Sequence, residues 1–197
     1  MKKLFYVGTM LELIGLCIFL CACNASWITE AQAIIAAMVS ATGVIAQLIA
    51  LLTDSTVPAT VAADLQVISS RITASLQVVS TLIAQYNATN ASGTIAKINE
   101  ALALVQQDAA AFLTALGVSN PALVSKVNVF IGLIVAEVQS IEAIIPILTT
   151  ATPGELEKLV AQRQMNHKAF KKAFNEAISA STGDAAVDTA LRELKHI

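Results

Sequence analysis

The chain has 197 residues, of which 56% are apolar and 13% charged, with a formal net charge of −2. That length fits one main domain, and eight glycines and four prolines are too few for the turns of a β sandwich or barrel, so an all-α class follows. Negative net charge and the lack of a basic stripe with interleaved aromatics argue against nucleic acid as a partner, whereas a mean hydropathy of +0.70 brings a membrane into consideration.

The first element is an N-terminal apolar run. Met1-Lys2-Lys3 opens it, Leu20-Cys21-Ala22-Cys23 closes it, and all three cysteines lie at or before position 23. Glu12 sits inside the run, and a carboxylate at a bilayer centre costs about 2.5–3.5 kcal/mol. A spanning helix is therefore a poor reading. Residues 1–12 instead form a long n-region and Leu13 to Ala22 an h-region of signal-peptide length. Leu20, Cys21, Ala22 and Cys23 supply an aliphatic residue, a tolerant position, a small residue and a cysteine. In these residues the segment resembles a bacterial lipoprotein precursor. The resemblance implies a signal peptide over 1–22, cleavage before Cys23, a diacylglycerol on its sulfur and a lipidated tether over 23–28. Asn24 stands where an aspartate is linked in some bacteria to inner-membrane retention, which points to the outer membrane. This resemblance covers the first 23 residues and carries no activity for the rest.

Thr29 and Gln32 form a capping box that predicts a helix to about Thr53, with Ile34, Met38, Ala41, Ile45, Leu48 and Leu52 at alternating spacings of four and three. Residues 31–52 carry no charge and are long enough to span a bilayer. Ser40, Gly43 and Gln47 on the other face suit a bundle helix instead. Asp54-Ser55-Thr56 and Pro58 break the chain, and a second helix is predicted from Pro58 to Asn87 on Leu65, Ile72, Leu76, Val79 and Ile83. After a polar loop, a third runs from about Thr94 to Leu116, with Gly117 placed to end it in a left-handed conformation. Asn120-Pro121 reads as an N-cap and first helical residue, opening a fourth helix to about Leu148. Four helices of about 25 residues, each about 37 Å long, with short connections predict an antiparallel up-down-up-down four-helix bundle over 29–149.

Residues 150–197 read as a charged helical appendage packed on the bundle or on a partner. Thr152-Pro153-Gly154-Glu155 predicts the start of one helix from Pro153 to about Ala180, and Thr182-Gly183-Asp184 a break before a short last helix with Val187, Leu191 and Leu194. Arg163 and His167 fall on the apolar face of the longer one and are the candidate interaction residues. Histidine titrates near neutrality, so His167 is also a candidate pH-sensitive contact.

Chemistry is scarce. Histidine occurs only at His167 and His196, without the Glu-x-x-His pairs of a di-iron bundle or the clustered Cys and His of a zinc site. No phosphate-binding glycine motif is present. Glu137 and Glu142 flank the apolar stripe of the fourth helix and Asp108 borders that of the third; these read as solvated boundary residues. The expectation is thus no enzyme, no catalytic residue, no cofactor and no metal. The function expected is that of a lipid-anchored protein on the periplasmic side of a bacterial envelope, held to the membrane through Cys23, with a structural role or a protein partner or self-association. A membrane-inserted, holin-like or pore-forming oligomer and a carrier of a hydrophobic ligand in the bundle core are the alternatives.

Overall fold

The computed structural model describes residues 2–86, 91–117, 119–145, 155, 158 and 166–197, with side-chain surroundings from Trp27 onward. Six helices are named among them: α1 (Lys2–Leu52), α2 (Ala59–Ala84), α3 (Ala91–Leu116), α4 (Pro121–Ile144), α5 (His167–Ser179) and α6 (Ala185–Glu193). The protein is all-α, and α1 to α4 pack as the four-helix bundle that the periodicity predicts: α1 on α2, α2 on α3, α3 on α4, and α4 back on α1.

Cross-helix contacts show the alternating direction. The Gln66 amide near the start of α2 donates to the Ala46 carbonyl near the end of α1 at 2.9 Å. At the opposite end Trp27 meets Tyr86 edge-on, with centroids 5.9 Å apart. The expected apolar stripes are the buried ones. Ile34, Met38, Ile45 and Leu48 of α1, Leu65, Ile72 and Leu76 of α2, Leu102, Val105 and Phe112 of α3, and Val127, Phe130 and Ile134 of α4 are all almost fully enclosed. Burying a side chain of that size contributes about 1.5–3 kcal/mol, so these stripes dominate the fold.

Several boundaries differ from the sequence expectation, each for a local reason. No break occurs over 23–28: α1 is continuous from Lys2, and Thr29 and Gln32 lie inside it rather than at its start. Asn24-Ala25-Ser26 contains neither proline nor glycine, so nothing there forces the backbone out of the helix. Gly117 follows the last residue of α3 without a left-handed φ; its N–H bonds to the Leu113 and Thr114 carbonyls. Asp54 takes the left-handed position instead, at φ 65°, in the turn between α1 and α2. Aspartate tolerates that region better than most residues, and the Leu52 carbonyl there accepts from the N–H groups of Ser55, Thr56 and Val57.

The C-terminal segment departs further. The single helix expected from 153 to 180 does not form as one, because Asn166 is extended (φ −145°, ψ 100°) and its side chain accepts from the N–H groups of Lys168 and Ala169. Asparagine competes for backbone donors inside a helix and is favoured as a cap, so the chain restarts there as α5. The expected break at Gly183 is present, with φ 80°, and Asp184 caps α6. Neither helix is peripheral. Phe170, Phe174 and Ile178 of α5 and Val187, Leu191 and Leu194 beyond it join the same core as the bundle. Helix α5 lies against both α1 and α4, and Phe174 stacks on Phe130 with centroids 4.7 Å apart.

Candidate functional site

The residues that sequence singles out are treated unequally. Cys23 lies on the backbone of α1, and its side chain is outside the described part; Arg163 lies outside the described residues altogether. His167 is described, and its position explains its role. It is the first residue of α5, where the backbone N–H groups of a helix lack intrahelical partners. The Glu30 carboxylate of α1 reaches this end: Oε1 accepts from the His167 backbone N–H at 2.7 Å and lies 2.8 Å from the ring Nδ1. Both side chains are about one quarter exposed.

The opposite end of α5 is held by a charge of the other sign. Lys126 of α4 is almost fully buried, and its ammonium donates to the Ala177 carbonyl at 2.8 Å and also to that of Ala180. A carboxylate at the N-terminus and an ammonium at the C-terminus both complement the helix dipole. Helix α5 is therefore seated with its N-terminus at Glu30 and its C-terminus at Lys126. Burial holds the Lys126 pKa below its ordinary value, opposed by the charge of Asp188.

Glu137 of α4 belongs to the first of these ends. One carboxylate oxygen, Oε2, is buried and has no hydrogen-bond partner. Burial, with Glu30 nearby, raises its pKa above the ordinary carboxyl value. The other boundary carboxylates point elsewhere. Asp108 pairs with Arg71 of α2 at 2.7 Å, and Glu142 accepts from the Gln106 amide of α3 at 2.8 Å. The structure thus disperses the three carboxylates instead of gathering them into an acid/base pair.

At the α4 start, Asn120 Oδ1 accepts from the Ala122 N–H at 2.8 Å, as the Asn-Pro motif predicts, while its amide donates to Asp184 Oδ2 at 2.8 Å. Asp184 in turn accepts from Ala186 and Val187 at 3.0 Å. Two helix caps are joined side chain to side chain. Asp188 completes this corner, accepting from the Ser181 hydroxyl and from the Thr182 backbone and side chain. These donors hold the Asp188 pKa far below the carboxylate range, and the Val187 N–H followed by the Asn120 amide lowers that of Asp184.

The chain matches no protein-family model, no curated protein and no solved structure. Its site must be read from geometry. Among the described residues no group of three His, Cys, Asp or Glu side chains is placed to hold a metal ion. The open cleft of about 460 Å³ beside α6 has Asp188, Arg192 and His196 in its wall, and Asp188 is already engaged by three donors from the adjoining turn. A second polar cluster is Glu30 bonded to His167, with Glu137 near enough to feel the Glu30 charge, where α1, α4 and α5 meet. Glu30 and Lys126 escaped sequence reasoning because their partners lie 137 and 51 residues away in the chain. An isolated charge amid long apolar stretches was the available signal.

Proposed function

We propose that this protein is a non-enzymatic, lipid-anchored component of a bacterial envelope, held by Cys23 on the periplasmic side, with a structural or protein-interaction role. The observation that carries the reading is where the apolar helices turn their bulk. Three of them, Trp27–Leu52, Ala59–Ala84 and Pro121–Ile144, are long and apolar enough to cross a membrane. Most of their large side chains face inward, with Leu51, Val67, Val78 and Val129 exposed, whereas Ser40 and Gln47 of α1, Asp64 and Arg71 of α2, and Asn128 and Gln139 of α4 also face out. A lipid-facing surface calls for the reverse, since Asp and Arg at membrane depth cost several kcal/mol on insertion scales, roughly 2.5–3.5 each. Much of the hydropathy of these helices comes from the core face and from alanine, with a few exposed valines and a leucine besides, which suits a bundle beside a membrane.

An interaction role is supported by the outer hydroxyls. Ser40, Ser70, Thr81, Thr114 and Ser140 each donate to the carbonyl four residues back in their own helix. Such groups already have a partner, so covering them with another protein surface leaves fewer unsatisfied donors. Exposed Val67 and Val78 share a face of α2, three turns apart. Together these features favour association with a helical partner or with a second copy.

Alkaline carbonate extraction of membranes carrying Cys23→Ser tests the anchor. The variant is expected in the soluble fraction while wild type pellets. Retention of the variant in the membrane overturns lipid-only anchoring and installs the membrane-inserted oligomer in its place.

A further inference from the structure

We propose that Glu137 is a proton-operated release for the C-terminal helical pair: with its carboxyl protonated α5 stays seated between α1 and α4, and with it ionised α5 leaves that seat more often. Helix α5 is capped locally by Asn166 at its N-terminus and tied to the bundle there by one Glu30 oxygen, which accepts from the backbone N–H of His167 and lies against its ring Nδ1. Its apolar grip is three buried side chains, Phe170, Phe174 and Ile178, far fewer than α2 or α4 buries. Weakly buried elements are the first to open in a folded protein.

Glu137, close enough to Glu30 to feel its charge, is half-buried, with Oε2 enclosed and unpartnered. A carboxylate with an enclosed oxygen that lacks a donor is more costly when ionised than when neutral. Among the described residues, the charges around it do not offset that cost. From α1 comes Glu30, of like sign; from α5 comes His167, already engaged by Glu30. Lys168 and Lys172 of α5 are exposed, Lys171 is half-buried, and Glu176 pairs with Lys172 at 3.9 Å. On α4 itself, Lys126 is committed to the far end of α5 and Glu142 to Gln106. Burial and Glu30 both push the Glu137 carboxyl toward its protonated form. A carboxyl raised in the folded state stabilises that state fully at low pH, and the contribution is lost as pH rises from the ordinary value of about 4.3 through the raised one. Ionised Glu137 relieves its burial and its repulsion with Glu30 by opening the seam, and α5 is the part of the seam with least to lose.

Hydrogen exchange of the full chain in mild detergent, read by mass spectrometry and corrected for intrinsic rates, tests this. In wild type, amides of residues 170–178 are expected to be severalfold less protected at pH 7.5 than at pH 5, the lower value lying just above the ordinary carboxyl pKa of about 4.3, relative to α2. Glu137→Gln is expected to keep α5 protected at both values, and Glu137→Leu to do the same if the glutamine variant fails to fold. His167→Gln serves as the control at the neighbouring imidazole: the pH dependence persists in that variant. Protection of wild-type α5 that does not change with pH overturns the proposal. So does a pH dependence that survives Glu137→Gln or disappears in His167→Gln.

Discussion

A single carboxylate can organise a whole corner of this molecule. Asp188 accepts three hydrogen bonds from Ser181 and Thr182, and these fix the turn that lets Asp184 cap α6. Its pKa is depressed, so its stabilising contribution is present above the ordinary carboxylate value of about 3.9 and lost as pH falls toward the folded value. Wild-type α6 amides are expected to lose protection as pH is lowered from about 5 to about 2.5, and Asp188→Asn to show the same loss severalfold at neutral pH; hydrogen exchange of residues 187–191 checks both. Local caps of this kind were legible in the chain at Asn120-Pro121 and Thr182-Gly183-Asp184, because a cap and its donors lie within three residues. The Asn120–Asp184 link was not, since nothing in either motif names a partner 64 residues away.

Helix α5 is the element where sequence and structure differ most. An apolar stripe continues across Asn166, so periodicity alone extends one helix over it, yet the asparagine side chain takes two N–H groups and restarts the chain. The bundle helices raised no such conflict. Their stripes run for six or seven turns between proline and polar breaks, and burial follows the three-four spacing. Because α5 grips through so few residues, Phe174 carries much of its docking: it is fully buried and stacks on Phe130 and Phe170. Phe174→Ala is expected to cost about 3–5 kcal/mol, seen as a lowered urea midpoint. Exchange is expected to rise in α5 and α6 first, while the α2–α3 pair keeps its protection. Equal loss throughout shows instead that the C-terminal pair and bundle open as one unit.

At the scale of the whole molecule, hydropathy and burial answer different questions. A mean hydropathy of +0.70 invites a membrane, but burial assigns the large side chains of α1, α2 and α4 to one internal core. In the proposed reading the lipobox-like residues provide the membrane address. Intact mass spectrometry of protein from its host is expected to give the mass of residues 23–197 plus lipid; an unprocessed chain beginning at Met1 removes the proposed localisation. The fold class was legible from composition and spacing because both report burial directly. The Glu30, Glu137 and His167 cluster was not, because closing the ring of helices is what brings those residues together.

The bond between Glu30 and His167 also carries a consequence in time. Its partners are 137 residues apart, and loop-closure entropy must be met before such a contact adds stability. Helix α5 has no seat until α1 and α4 stand side by side, and α4 emerges well after α1. Helix α5 is thus expected to settle after the helices that seat it, and the Glu30 contact to form late.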